Sequence, residues 1–178
     1  MEELLLKAKD GDEQAFTKII LLINDDLYKV AKTRIKNEAD IADAIQETII
    51  ETFKSINKIN EPRKFKKWII KVLINKCNRI YRRKYKKDIS LEEYDFNYIK
   101  VNNISDIENE LNFFDIINGL NYEERIILVL YYMEEYTVKE IKEILGMKEN
   151  TINTHLYRAR QKLKSKYEGG KIYDWFWK

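Results

Sequence analysis

The chain has 178 residues, of which 35% are charged and 44% hydrophobic, and its formal net charge is only +3. A single proline and five glycines favour a helical protein with few tight turns. The lone cysteine, Cys77, excludes a disulfide framework, and no apolar run approaches the roughly 20 residues that span a bilayer. The acidic start MEELLLKAKDGDE does not have the form of a signal peptide. We therefore predict a soluble, cytoplasmic protein.

Three segments in the first half of the chain have the apolar spacing of amphipathic helices. They run from Phe16 to Ala31, from Ile41 to Phe53 and from Phe65 to Ile80, with apolar residues three and four positions apart. The stretch SINKINEPRK predicts a loop before the third segment, and the proline in it suits a first helical turn. These segments predict an N-terminal module, residues 1–87.

A polar stretch and a second helical module follow. Residues 88–112 lose the periodicity and are acidic and rich in asparagine, which is typical of a linker. In the C-terminal module, residues 113–168, Asn121 with Glu124 and Thr137 with Glu140 predict helix starts, since each pair can form a capping box. The sequence thus predicts an all-α fold with two small helical domains joined by a flexible acidic linker. The tail 169–178, GGKIYDWFWK, fits neither module.

The C-terminal module contains a helix–glycine–helix pattern typical of a helix-turn-helix. Gly146 can end the first helix in the left-handed conformation, and the second helix would bury Ile152, Leu156, Ala159 and Leu163. The outward residues of such a second helix enter the major groove, where amides and guanidinium groups read base edges. The candidate DNA contacts are Asn150, Thr151, Asn153, Thr154, His155 and Arg158, followed by Arg160 and Lys162 for the phosphates.

Charge is distributed in blocks. Residues 54–87 contain fourteen Lys or Arg against one acid, 88–118 contain eight acids against one lysine, and 148–166 contain six Lys or Arg against one acid. Two basic blocks separated by an acidic one indicate two modules that bind one polyanion. Aromatic residues in the first basic block can pack in the core or contact unpaired bases.

An acidic helix face precedes the first basic block. Asp40, Asp43 and Glu47 are spaced to lie on one side of a helix, which is either a solvated face or a docking surface for a basic partner. A di-iron site would need Glu-x-x-His pairs, but the sole histidine, His155, belongs to the other module. With one histidine and one cysteine, neither a zinc cluster nor a Cys–His nucleophile pair can form. We predict no enzyme, no metal and no cofactor.

Three stretches, in this order and at this spacing, resemble the extracytoplasmic-function sigma factors, the small two-domain initiation subunits of bacterial RNA polymerase. DIADAIQETIIETF resembles the helix that binds the clamp helices of the largest polymerase subunit. FKKWIIKVLINKCNRIYRRKYKK resembles the segment that melts the promoter and reads its −10 element. YTVKEIKEILGMKENTINTHLYRARQKL is similar to the helix-turn-helix that reads the −35 element. The resemblance covers nearly the whole chain.

The resemblance implies a role for each part. The N-terminal module would be sigma region 2, the C-terminal module sigma region 4, and the linker would run toward the RNA-exit channel. The residues implied to bind core polymerase are Asp40, Asp43, Gln46 and Glu47. The residues implied to contact −10 DNA are Asn57, Lys58, Asn60, Arg63, Lys64, Asn75, Arg79, Arg82 and Arg83.

The resemblance also implies partners. These are core RNA polymerase, promoter DNA and an anti-sigma factor that masks both modules and can hold the chain at the membrane, while the free chain would be a monomer. Two alternatives stay open on the residues alone. One is a free-standing helix-turn-helix regulator, which would leave the first basic block without a purpose. The other is a metal enzyme that uses the acidic face to act on nucleic acid.

Overall fold

The computed structural model of the chain describes residues 1–85 and 113–166. These residues form helices and turns with no strand among them, so the all-α prediction is confirmed for this part of the chain. The predicted linker, 88–112, and the aromatic tail, 169–178, lie outside the described residues. The last positions of each predicted module do as well, so the domain boundaries stay predictions.

The described residues of the N-terminal module form four α-helices. They are α1 (Glu2–Lys9), α2 (Glu13–Lys32), α3 (Glu38–Ser55) and α4 (Phe65–Tyr85). The three predicted helices correspond to α2, α3 and α4, whereas the short α1 was not predicted. Capping side chains fix two of the starts, because Asp12 accepts from the Ala15 amide at 2.9 Å and Asn37 accepts from the Asp40 amide at 3.1 Å.

Two 3-10 turns, Ile56–Lys58 and Pro62–Lys64, connect α3 to α4. The base of this connection is fixed by the buried Ile56 and Ile59 and by Lys9, whose Nζ donates to the Ile59 carbonyl oxygen at 2.9 Å. The loop is therefore anchored underneath while its polar side chains remain in solvent.

The C-terminal module contains four further described helices. They are α5 (Phe113–Ile117), α6 (Tyr122–Leu128), α7 (Val138–Leu145) and α8 (Glu149–Lys166), with a π-helical turn over Val129–Met133 after α6. Both predicted capping boxes are confirmed. The glycine turn is confirmed too, since Gly146 has φ 69° and ends α7 in the left-handed conformation. The four predicted buried residues of α8 are all buried.

The buried apolar side chains of the described residues form one continuous core that runs through both modules. Helix α4 contacts α2 and α3 on one side and α7 on another. It consequently buries Ile70 and Ile74 in addition to Phe65, Ile69 and Leu73. The two modules pack against each other in this structure, which the sequence did not predict.

Candidate nucleic-acid and partner interfaces

The acidic face of α3 is only partly exposed. Asp43 and Gln46 lie in solvent and Glu47 is half-buried, whereas Asp40 is only 4% exposed and is ion-paired with Lys84 of α4. The Asp40 carboxylate is therefore not part of a solvated acidic face. The reason is that α4 packs along α3 and brings Lys84 over this carboxylate, which one-helix periodicity cannot reveal.

The acidic and basic surfaces of the N-terminal module meet along the α3–α4 seam. Glu47 is ion-paired with Arg79, and Glu51 with Lys76. Thus a residue implied to bind polymerase and a residue implied to bind DNA contact each other in the free chain. In the Glu47–Arg79 pair Arg79 is exposed and Glu47 half-buried, so salt screens the pair and either partner can be released to a ligand at modest cost.

An apolar groove lies between α2 and α3, beside Asp43. Its volume is about 380 Å³, and Gln46 lies in its wall. The other lining residues are Asn24, Tyr28, Glu38, Ile41, Ala42, Ile45, Ile49 and Ile50. Ile50 is 47% exposed, and the 72% exposed Leu21 lies one helical turn before Asn24 on the same side of α2. An apolar groove rimmed by polar residues is typical of a protein-binding surface.

The residues implied to contact −10 DNA all lie in solvent. Asn57, Lys58, Asn60, Arg63 and Lys64 belong to the α3–α4 connection, and Asn75, Arg79, Arg82 and Arg83 to α4. Some of these cations have local partners within the described residues. Arg63 contacts Glu2 at 3.2 Å, and Lys64 contacts Glu61 at 2.7 Å. Both pairs are exposed, so they leave the cations accessible to a polyanion.

Helix α8 presents a polar face away from its buried side. Asn150, Thr151, Asn153, Thr154 and Arg158 are exposed, as expected for groove-reading positions. His155 differs from them because it is half-buried, and its Nδ1 has no hydrogen-bond partner within the described part of the chain. The exposed face also contains Tyr157, which is 64% exposed. Sequence reasoning missed Tyr157, although its offset from Ile152 and Leu156 already puts it on the outer side of the helix.

Arg160 and Lys162 of α8 are turned toward their own module. Arg160 Nε donates to the Tyr132 hydroxyl at 2.7 Å, and its guanidinium lies over the Tyr131 and Tyr132 rings. Lys162 is ion-paired at 2.9 Å with Glu124, whose side chain is buried. These cations join α8 to α6 and to the π-helical turn, so phosphate binding is not their only available role.

Residues 1–85 and 113–166 contain neither a candidate metal-binding cluster nor a candidate membrane span. No group of three or more His, Cys, Asp or Glu side chains there has the geometry to hold a metal ion. Within the same residues, no helix is both long and apolar enough to cross a membrane.

Comparisons with known proteins match both modules. The families described as Sigma-70 region 2 and Sigma-70, region 4 match residues 22–87 and 111–163. The RNA polymerase sigma factor SigV of Bacillus subtilis is 27% identical over 154 residues, which cover 86% of this chain and 92% of that protein. The ECF RNA polymerase sigma-E factor of Haemophilus influenzae is 26% identical over 183 residues, covering 94% of this chain and 95% of that one.

A solved structure has the same fold. The sigma factor RpoE in complex with the anti-sigma factor NepR, from Bartonella quintana, superposes with a TM-score of 0.67 at 19% identity, covering 84% of this chain and 94% of that one. Both halves of the sigma-70 architecture are thus matched in chain order, by full-length relatives as well as by separate family models. The chain belongs to the extracytoplasmic-function sigma factors.

Proposed function

We propose that three separate surfaces of this chain direct core RNA polymerase to its promoters. They are the groove between α2 and α3, the exposed cations of the α3–α4 connection and α4, and the outer face of α8. As a sigma factor the chain acts in transcription initiation, and nucleotide transfer is left to the polymerase. The observation that carries the proposal is the combination, in one chain, of an apolar docking groove with two exposed basic surfaces.

The α2–α3 groove is proposed as the main contact with core polymerase. Its apolar wall can bury partner side chains, while Asp43 and Gln46 supply polar contacts at the edge. Glu47 joins them once it exchanges Arg79 for a partner cation. Asp40 would act indirectly, through its ion pair with Lys84, because its carboxylate is buried.

A matched pair of substitutions tests the groove. Ile50→Glu places a charge in the groove wall and should weaken the binding of core polymerase by tenfold or more, roughly the cost of losing an interface anchor. Leu22→Glu is the control, because Leu22 is 62% exposed on α2 but does not line the groove. Equal binding of core by both folded variants in a titration would exclude the groove as the docking surface.

The basic surface is proposed to contact the −10 element. Cations of α4 would follow the phosphates. The polar loop 57–64 would receive an unpaired nucleobase, because its side chains lie in solvent while its backbone is anchored to Lys9 at Ile59. Replacing both Arg82 and Arg83 with Ala should impair promoter opening, seen as weaker permanganate reactivity of −10 thymines. Reactivity equal to that of the unsubstituted chain would contradict this role.

The outer face of α8 is proposed to read the −35 element in the major groove. Asn150, Asn153 and Arg158 can bond base edges, and the Tyr157 ring can contact a thymine methyl. Arg160 and Lys162 contribute charge near the phosphates while they support the helix.

Run-off transcription is the direct test. Core RNA polymerase supplied with this chain should initiate at a promoter that core alone ignores. The free-standing regulator is the rival reading, and it predicts tight binding of one operator by the chain alone with no effect of core polymerase. That second outcome would overturn the proposed function.

We also propose a partner and a location. RpoE of Bartonella quintana is bound to an anti-sigma factor, and the similar fold suggests that an anti-sigma factor binds this chain too. Promoter binding implies work in the cytoplasm. Co-purification of the tagged chain from cells of its source should yield an additional protein that prevents run-off transcription.

A further inference from the structure

Helix α1 packs against the α3–α4 connection, the loop that is proposed to receive a −10 base. Its Leu5 is fully buried and its Ala8 is 8% exposed, and the helix contacts α2 and both 3-10 turns of the connection. It lies before residues 22–87, the part of the chain that Sigma-70 region 2 matches. The family match therefore assigns α1 no role, although the helix touches a proposed DNA-binding loop.

A short turn fixes α1 against α2. Gly11 has φ 95°, a conformation that glycine adopts without strain, and its amide donates to the Ala8 carbonyl oxygen at 3.2 Å. The next residue, Asp12, is the N-cap of α2. Two packed helices joined by three residues form an αα-hairpin, so the position of α1 is set by a core helix.

The last residue of α1 holds the middle of the loop. The half-buried Lys9 donates from Nζ to the Ile59 carbonyl oxygen at 2.9 Å, and an ammonium donor makes this a charge-assisted hydrogen bond. The Ile59 amide donates to the Ile56 carbonyl oxygen at 3.2 Å, and the Ile59 side chain is only 7% exposed. The amide, the carbonyl group and the side chain of Ile59 are thus all held in place.

The polar side chains on either side of Ile59 lie in solvent. Asn57 and Lys58 precede it and Asn60 follows it. An asparagine amide both donates and accepts, so it can bond the edge of a base. Such a contact discriminates between bases only if its groups are held within about 0.5 Å of the productive geometry. The anchored Ile59 sets the spacing of these side chains, and Lys9 is part of the anchor.

A second contact between α1 and the connection is weaker. Arg63 Nε lies 3.2 Å from a Glu2 carboxylate oxygen, but the side chains are 87% and 57% exposed. Exposed pairs of this kind contribute little and are screened by salt. Lys9 is therefore the side chain of α1 on which the position of the loop depends most.

We propose that α1 is a support for the base-receiving loop and that Lys9 is a positioning residue for the choice of −10 base. The proposal rests on the proposed function of loop 57–64 and deepens it, because it says what holds that loop in the geometry that selects a base. Lys9 acts through the Ile59 carbonyl group and does not itself contact DNA. Loss of the anchor should relax the preference at the base position that the loop reads and leave the rest of the promoter preference unchanged.

Hydrogen exchange of the free chain tests the anchor. In the unsubstituted chain the Ile59 amide should exchange more slowly than in an unstructured peptide of the same sequence. Lys9→Met keeps the apolar stem but removes the donor, and it should accelerate this exchange by about fivefold, the effect of one hydrogen bond. Lys9→Arg keeps a cationic donor and should exchange like the unsubstituted chain.

The matched control is Lys7→Met. It makes the same change in charge on the same helix, where Lys7 is 55% exposed and paired with Glu3 at 2.7 Å. Equal exchange at Ile59 in Lys9→Met and Lys7→Met would overturn the anchor. An equal acceleration at Leu73, which is fully buried in α4, would show a general loss of stability and would also overturn it.

Transcription from a template pool tests the choice of base. The probe is a promoter that the unsubstituted chain transcribes with core polymerase, with its −10 element randomised and a barcode in the transcribed region. For Lys9→Met, the ratio of transcripts from the best and the worst base at one position should fall by about fivefold, the smallest effect of losing one base-specific contact. Lys9→Arg and Lys7→Met should keep the unsubstituted preference. An equal loss of transcripts from all templates would reduce Lys9 to a general structural or charge effect and overturn the proposal.

Asn60→Ala in the same assay separates this proposal from the function on which it rests. It should flatten the preference at the position that Lys9→Met relaxes. If Asn60→Ala changes the preference and Lys9→Met does not, the loop reads a base and only the support by α1 is overturned. If neither variant changes the preference at any −10 position, the base-receiving role of the loop fails as well.

Discussion

Arg125 lies in the run YEER at the start of α6, where three charged residues in succession indicate a solvated helix turn. The structure buries its side chain nevertheless, and the guanidinium donates to the carbonyl oxygens of Thr33 and Leu120. Burial lowers the pKa of Arg125 to about 10, with Arg34 contributing in the same direction. At neutral pH the group stays charged, so its bonds to these two carbonyl groups are charge-assisted.

Replacing Arg125 tests how much this single side chain contributes to the free energy of unfolding. Arg125→Ala leaves two carbonyl groups without their donor and a cavity beneath α6, and we expect the free energy of unfolding to fall by about 2–4 kcal/mol. Arg125→Lys keeps the charge but lacks the planar guanidinium that donates to two acceptors at once, so we expect an intermediate loss of stability. Urea titration followed by circular dichroism measures both. A loss below about 0.5 kcal/mol for Arg125→Ala would show that the buried contacts contribute nothing.

Two aspartates of α3 should respond in opposite ways. Asp43 is exposed, so Asp43→Arg should leave the free energy of unfolding within about 0.5 kcal/mol and weaken core polymerase binding. Asp40 is buried against Lys84, so Asp40→Ala should lower the stability by about 1–3 kcal/mol and affect core binding less. Thermal unfolding and a core-binding titration on each variant separate the two roles. Were Asp43→Arg to unfold the chain, or Asp40→Ala to leave it unchanged, the assignment would be reversed.

At the scale of elements, α8 has two kinds of cation. Arg158 is exposed and has no hydrogen-bond or ion-pair partner among the described residues, whereas Arg160 donates a hydrogen bond to the Tyr132 hydroxyl. A cation that neutralises a phosphate releases about one counterion. Arg158→Ala should therefore reduce the slope of log affinity against log salt by about 0.9 for −35 duplex binding by the assembled polymerase. Arg160→Ala should change this slope less and lower the stability of the chain instead.

The check on this contrast is binding of the same duplex over a series of salt concentrations, with Arg158→Lys as the charge-preserving control. We expect Arg158→Lys to keep the slope of the unsubstituted chain. Equal losses of slope for Arg158→Ala and Arg160→Ala would mean that Arg160 leaves Tyr132 to bind a phosphate, as the sequence alone predicted.

The same elements show what the sequence could reveal. The bodies of α2, α3, α7 and α8 follow from apolar spacing, and the starts at Asn121 and Thr137 from capping chemistry, because both signals lie within a few residues of chain. The burial of Asp40 and of Ile70, and the contact of Arg160 with Tyr132, depend on which helix packs against which. Periodicity assigns one buried face to a helix, so a helix such as α4 that is covered on two sides is only half described by it.

At the scale of the whole molecule, the two modules share one apolar core and the contacts of Arg125 and Lys66. Unfolding the C-terminal module would expose the buried Ile70 and Ile74 of α4, so the two modules should lose their structure together. Differential scanning calorimetry of the free chain should show one transition, with a calorimetric enthalpy close to the van't Hoff enthalpy.

Glu143→Lys tests whether this cooperativity comes from the contact between α4 and α7. The charge reversal places a third cation against Lys67 and Lys71, while Glu143 itself is an exposed residue whose replacement should cost its own module little. With the modules apart, each must unfold on its own stability, so the single transition should broaden or divide into two. The double variant Lys67→Glu/Glu143→Lys should again show one transition, because attraction across the exchanged pair is restored. The control Glu3→Lys, which changes a pair within α1, should show one transition like the unsubstituted chain. Two transitions in the unsubstituted chain, or one unchanged transition in Glu143→Lys, would mean that stability is not shared through this contact.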